Sequence, residues 1–162
     1  FMARPEHQHR GRGGRQTEKP EFDQKTITIR RVTRVVKGGR RFSFSAVIAA
    51  GDRLGRVGLG VGKAADVSLA IEKGFKDARK HMFKLALTKD SSLPYDVSAK
   101  FSSSQVRLAP APGRGLSAGS AARIILELAG VRNVSAKFIS RSKNKLNNAR
   151  AAMKALEHFV QK

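Results

Sequence analysis

The sequence predicts an α+β protein in two small domains, the first ordered βββα and the second ββαβα. Three observations carry that expectation. Apolar residues alternate with period two between Ile27 and Val61, interrupted at glycines. From Val67 the period changes to steps of three and four, the spacing of a helix face. The stretch Asp90-Ser91-Ser92-Leu93-Pro94 combines turn formers with a helix-stopping proline and separates the two halves. The expected organisation is a disordered basic tail over 1–24, a first domain over 25–90 and a second over 91–162.

Residues 1–24 combine Arg10, Arg12 and Arg15 with Gly11, Gly13 and Gly14. Such a segment buries too little apolar area to offset its chain entropy, so a basic arm is expected. It carries no apolar run of the kind found in a secretory leader. Ile27 and Ile29 are expected on one face of a first strand, continued by the β-branched run from Val32 to Val36. Lys37-Gly38-Gly39-Arg40-Arg41 ends it, with two glycines able to take positive φ. Phe42, Phe44, Ala46 and Ile48 alternate with Ser43, Ser45 and Val47 in a second strand. After the turn at Gly51-Asp52, Val57, Leu59 and Val61 alternate with Gly58, Gly60 and Gly62 in a third. Asp66 or Ser68 then caps a helix whose stripe is Val67, Ile71, Phe75, Ala78, Met82 and Leu85. Lys73, Lys76, Arg79, Lys80 and Lys84 sit off that stripe.

In the second half, Val97, Ala99 and Phe101, the serines 102–104, then Val106 and Leu108 predict a hairpin ended by Pro110 and Pro112. Gly113-Arg114-Gly115-Leu116-Ser117 leads into a helix bearing Ala121, Ala122, Ile125, Leu126 and Leu128, with Gly130 just past its end. Val134, Ala136 and Phe138 predict a further strand. Arg141 to Asn148 reads as a basic, Asn-rich turn, and Met153, Leu156 and Val160 mark a final helix.

Composition narrows the function. The 162 residues hold 33 Lys plus Arg against 12 Asp plus Glu, a formal charge of +21. A folded chain this basic repels itself unless it meets a polyanion, and nucleic acid is the first candidate. The excess is uneven: +8 over residues 1–41, +4 over 42–90 and +9 over 91–162. With no cysteine there is no disulfide, thiolate metal site or Cys nucleophile. No apolar run approaches the roughly 20 residues of a membrane-spanning helix, so no membrane role is expected.

Six cations without one acid crowd the first hairpin tip: Arg30, Arg31, Arg34, Lys37, Arg40 and Arg41. Gly38 and Gly39 let its backbone approach phosphates, while Arg forks bind their oxygens. The alternative is a hairpin kept soluble by charge, and the absence of any acid favours contact with an anion. Gly58, Gly60 and Gly62 do not form a phosphate loop: the Walker spacing needs glycine at Val57 and a hydroxyl at Ala64. They are expected to let a helix, or RNA, approach the sheet. Gly113, Gly115 and Gly119, with Arg114 and Arg123, form either a phosphate-attracting helix N-terminus or a softened loop. His7, His9, His81 and His158 make no metal or base constellation, and Asp77 and Glu72 are explained by pairing along the helix. Phe42 and Phe44 are expected in the core rather than as stacking platforms. No enzyme and no cofactor are expected.

Arg31 through Phe44, Gly51-Asp52, Gly55 through Ala64, Gly113 through Gly119, Leu126 through Val131 and Asn133-Val134 resemble the motifs of the bacterial small-subunit ribosomal protein S-five family. The resemblance covers about residues 25–160, with several motifs in register. It implies a double-stranded-RNA-binding-like first domain and a second domain with a left-handed βαβ crossover. It also implies a cytoplasmic protein of the ribosome that binds small-subunit rRNA, supports assembly and accuracy, and touches proteins four and eight and the path by which mRNA enters. Carried onto this sequence, Lys37–Arg41 is the rRNA-contacting loop; Arg56, Lys63, Arg114, Lys143 and Lys145 are expected as further RNA-facing cations. Gly113, Arg114, Gly115 and Gly119 belong to the interface with protein four. Two departures stand out. Ser120 replaces a family glycine and stiffens a helix start, and Lys145 replaces a family proline, loosening its turn and adding a charge.

Two rival readings remain. One is a free-standing double-stranded-RNA-binding module of processing or regulation. The other, a nucleotide-binding enzyme sharing the second domain's architecture, is weakened by the failed phosphate motifs.

Overall fold

The computed structural model describes residues 21–161. Two four-stranded sheets and three helices form it. In the first half β1 (Asp23–Val36), β2 (Gly39–Gly51) and β3 (Arg56–Ala64) run as an antiparallel meander, followed by α1 (Val67–Lys80) and the short β4 (Phe83–Lys84). The sheet order is β1-β2-β3-β4. In the second half β5 (Val97–Phe101), β6 (Ser104–Pro110), β7 (Leu116–Ser117), α2 (Ser120–Ala129), β8 (Val134–Phe138) and α3 (Lys145–Glu157) give the order β5-β6-β8-β7. β7 pairs parallel to β8 and α2 makes the crossover between them.

The glycine-bearing face of β3 accepts α1 at very short range. A Cβ on Gly58, Gly60 or Gly62 would overlap the carbonyl oxygen of Ala78, Gly74 or Ala70 in turn. Those three partners are spaced four apart on α1 and form its buried seam. Gly74 completes the fit, since a Cβ there would stand 2.8 Å from Ile48 Cγ1. The glycines therefore serve helix approach, one of the two uses expected of them.

The opposite face of the same sheet joins the second half. Val47, Ala49 and Val57 lie in one continuous core with Ile125, Leu126, Leu128, Ala152 and Leu156. The segment between the halves is held from both sides: Leu85 N donates to Gly55 O at 2.9 Å and Ala86 N to Phe159 O at 2.8 Å. Leu93 is buried in the shared core.

Several expectations change. The predicted tail of 1–24 falls mostly on residues 1–20, outside the described residues, but Asp23 and Gln24 already belong to β1, paired with Gly51 and Ala50. Ile27 and Ile29 do not share a face. The register slips between Thr26 and Thr28, a bulge that sends Ile27 into the shared core, while Ile29 pairs with Ala46 and stays 42% exposed. Of the two hairpin glycines only Gly39 has positive φ, at 127°. Helix α1 stops at Lys80 rather than running to Leu85. Phe83 and Lys84 instead cover Val57 and Arg56 at the edge of β3, a tertiary pairing that outweighs helical periodicity. Leu116-Ser117 is a strand rather than a loop.

The last helix begins at Lys145, inside the expected turn. Asn144 caps it, its Oδ1 accepting from Leu146 N at 3.2 Å. Asn148 Nδ2 donates to Ser142 O at 3.1 Å and Asn148 Oδ1 accepts from Ser104 Oγ, so side chains hold this turn in the absence of proline. Val160 lies beyond the helix in a bridge to Leu85, and Phe159 is the residue that fills the core there.

Candidate nucleic-acid interface

β3 pairs with β2 only as far as Phe44, opposite Ala64. Beyond that row β1 and β2 continue alone to the tip at Lys37-Gly38, as a two-stranded ribbon. From Ile29 to Phe42 no side chain of the ribbon is fully buried. Directly opposed residues of an antiparallel pair share a face, so the register sorts the cations.

Arg30 stands opposite Ser45, which stands opposite Lys63. That places Arg30 and Lys63 in one row across three strands, about 10 Å apart at strand spacing. Arg34 stands opposite Arg41 on the same face, four residues nearer the tip, or about 13 Å along the strand. This face continues into Val47, on the side where the second half packs. Among the described residues, Arg30, Arg34, Arg41 and Lys63 join none of the ion pairs. The other ribbon face, continuous with the α1 side, carries Arg31 and Arg40. Arg31 lies over the ring of Phe42 with its guanidinium carbon 4.8 Å from the centroid. Lys37 is at the exposed tip beside Gly38.

Arg56 is placed differently. It lies on the α1 side of β3, its Nε donating to Asp52 Oδ2 at 2.6 Å, with Glu21 at 3.8 Å and the ring of Phe22 beneath it. Asp52 is only 5% exposed, and it also accepts from the amides of Leu54 and Arg56 at 2.7 and 3.0 Å. Burial alone would raise its pKa. The Arg56 hydrogen bond and the two amides outweigh burial and hold the carboxyl below its ordinary range.

The predicted site cations of the second half, Arg114, Lys143 and Lys145, divide between the two ends of its sheet. Lys143 and Lys145 flank the α3 cap, beside the β5–β6 turn that Ser103 links to Ser142. Gly113, Arg114 and Gly115 lie at the opposite end, before β7, with φ of 75° and 70° at the two glycines. Gly119 is the N-cap of α2 and supplies no side-chain cap; a Cβ there would stand 3.1 Å from the Phe138 ring.

Sequence reasoning missed a basic cleft between the halves, about 490 Å³, lined among others by Lys25, Arg53, Arg123, Glu127 and Arg132. Its cations come from β1, the β2–β3 loop, α2 and the α2–β8 turn, so no local run announces them. Glu127 accepts from Lys25 Nζ at 2.8 Å and Arg123 Nε at 3.1 Å. The Lys25 bond, with help from Arg123, holds the Glu127 carboxyl below its ordinary value against a smaller effect of burial. Phe42, expected in the core, is instead 49% exposed, whereas Phe44 packs against the α1 side.

Asp77 caps the open edge of β3, accepting from Val61 N at 3.0 Å, and approaches His81 at 3.4 Å. Among the described residues no three His, Asp or Glu side chains gather as a metal site, and no helix is long and apolar enough to cross a membrane.

The described residues thus form a βββα layer backed by a second α/β layer, with cations in rows on a projecting ribbon. The family described as "Ribosomal protein S5, N-terminal domain" matches residues 22–86, and "Ribosomal protein S5, C-terminal domain" matches 99–161. A Synechococcus elongatus protein named "Small ribosomal subunit protein uS5" is 50% identical over 142 residues, 86% of this chain and 78% of the relative. A relative of the same name from Thermosynechococcus vestitus is 46% identical over 150 residues, 91% of this chain and 86% of its own. "Small ribosomal subunit protein uS5c" of Emiliania huxleyi is 45% identical over 140 residues, covering 86% and 87%. The chain belongs to the ribosomal protein S-five family, whose members are structural, non-enzymatic proteins of the small ribosomal subunit.

Proposed function

We propose that this chain is a structural constituent of the small ribosomal subunit and binds its rRNA through the β1–β2 ribbon. The Arg30–Ser45–Lys63 row, with Arg34 opposite Arg41, carries this reading. Four cations without acidic partners on one face form a track for phosphates, and phosphate contact fixes position rather than sequence. Lys37, Gly38, Gly39 and Arg40 extend that contact at the tip, and Lys143 and Lys145 supply a second one beside α3. Gly113, Arg114, Gly115 and Gly119 present the contact for protein four. Family membership supports a cytoplasmic, ribosome-bound role in assembly and accuracy, with protein eight as a further neighbour and the incoming mRNA close by.

The test is the salt dependence of rRNA binding. Replacing Arg30, Arg34 and Arg41 together with Ala is expected to flatten the slope of log affinity against log salt by roughly 0.7–0.9 for each phosphate no longer neutralised. An unchanged slope overturns the ribbon assignment. A gradient of cell lysate addresses the assembly: the protein is expected in the small-subunit fraction, and a large free pool would favour a free-standing RNA-binding module.

A further inference from the structure

The ribbon face on the α1 side presents apolar surface beside its two cations, Arg31 and Arg40. Ile29, Thr33, Val35 and Phe42 stand along it, with Val35 77% and Phe42 49% exposed. Leaving a large apolar side chain in water forfeits about 1.5–3 kcal/mol of burial, yet the fold leaves this row open. Among the described residues Arg31 lies over the Phe42 ring, 4.8 Å from its centroid. Thr33, directly opposite Phe42, is small and polar. We infer that the Arg31–Phe42 stack is a docking platform for one unpaired RNA base, with the opposite face holding the backbone that carries it.

The charge selects this occupant. From Thr28 to Phe44 the ribbon holds six cations and no acid. An apolar protein segment would have to strip water from Arg31 and Arg40 without supplying a countercharge. An unpaired nucleotide brings both needed features, a flat π face for Phe42 and Arg31 and a phosphate for the neighbouring cations. The two ring-stacking groups are presented by neighbouring strands, whose pairing fixes their separation before any ligand arrives.

The inference rests on the ribbon being an rRNA contact, so the experiment separates the two. The full chain is titrated with two RNA hairpins of equal charge, one fully paired and one carrying a single bulged 2-aminopurine. The wild type is expected to bind the bulged hairpin about tenfold more tightly, in keeping with base–aromatic stacking, and to quench its fluorescence. Phe42→Ala is expected to lose both the preference and the quench while keeping the salt slope, and Phe42→Trp to restore them. Circular dichroism of both variants checks that this exposed position leaves the fold intact. Salt-dependent binding without preference or quench overturns the platform and leaves the phosphate track standing. Absence of salt-dependent binding overturns both. In the assembled subunit, benzoylphenylalanine at position 42 is expected to crosslink to rRNA; a crosslink to a protein alone overturns the inference.

Discussion

The amide of Arg53 donates to the carbonyl oxygen of Leu128 at 2.9 Å, so a loop of the first sheet closes the C-terminal end of helix α2. Gly55 N adds a second bond, to Ala129 O at 3.0 Å. The last carbonyls of a helix lack partners within it, and α2 finds two of them in the other half of the chain. The approach is close: a Cβ on Gly51 would overlap Leu128 O, and one on Gly130 would overlap Arg53 O. Gly130 has φ of 80°, and Arg53 itself sits at 59°, a left-handed conformation held by this contact. The two halves are thus joined by backbone as well as by core, and the ribbon's base is fixed relative to α2 and α3.

Asp52 organises that loop, so its loss is expected to loosen both halves together. Asp52→Ala removes three hydrogen bonds to a nearly buried carboxylate, an expected cost of about 2–3 kcal/mol. Urea denaturation measures the loss. Amide exchange is expected to quicken at Arg53 and Gly55, far more than at the ribbon tip. Unchanged protection there would mean that the clasp holds without Asp52.

The glycines divide into those that accept a helix and those that do not. Gly60→Ala forces a methyl into the Gly74 carbonyl and is expected to destabilise by at least about 3 kcal/mol. Gly38→Ala meets nothing within 4 Å and is expected to stay within about 0.5 kcal/mol of the wild type. Thermal unfolding of the two variants checks the contrast.

Much of this was legible in the residues because amphipathic periodicity is a local signal. The α2 stripe of Ala122, Ile125 and Leu126 reports a buried face directly, whereas the β2 alternation marks only the α1 side of a strand that Ala46–Gly51 bury on both faces. What escaped depends on distant partners. The bulge at Ile27 adds one residue without any mark in composition, and it puts the two isoleucines on opposite faces. β4 and β7 have two residues each, too few for a period, and exist because a sheet edge was open. Phe42 obeys the alternation but lies past the row where β3 ends, so the expected core is missing there. The crowding of six cations at one tip was plain; their division between two faces required the register.

Acid is expected to weaken the junction. Glu127 and Asp52 both have folded pKa values below their ordinary range. The stability they contribute is full above the unfolded carboxylate values and is lost as pH falls through the lower folded values. The midpoint of urea unfolding is therefore expected to hold steady from neutral pH to about pH 5 and to decline below about pH 4. Glu127→Gln is expected to make that decline shallower by removing the Lys25–Glu127–Arg123 cluster from the titration.

The sharpest separation lies within β3. Arg56 and Lys63 are both basic and both exposed, but seven residues apart on a strand they point to opposite faces. Arg56 is held by Asp52 and Glu21 on the α1 side, whereas Lys63 completes the row with Arg30. Lys63→Ala is expected to lower the salt slope of rRNA binding by roughly 0.7–0.9 and to leave stability within about 0.5 kcal/mol of the wild type. Arg56→Ala is expected to do the reverse, leaving the slope unchanged while the unfolding midpoint falls as Asp52 loses its partner. Filter binding across a salt series, paired with urea denaturation of both variants, gives the two readouts. A lowered slope in Arg56→Ala at unchanged stability would move Arg56 into the RNA interface and extend the contact from the ribbon onto the α1 side of β3.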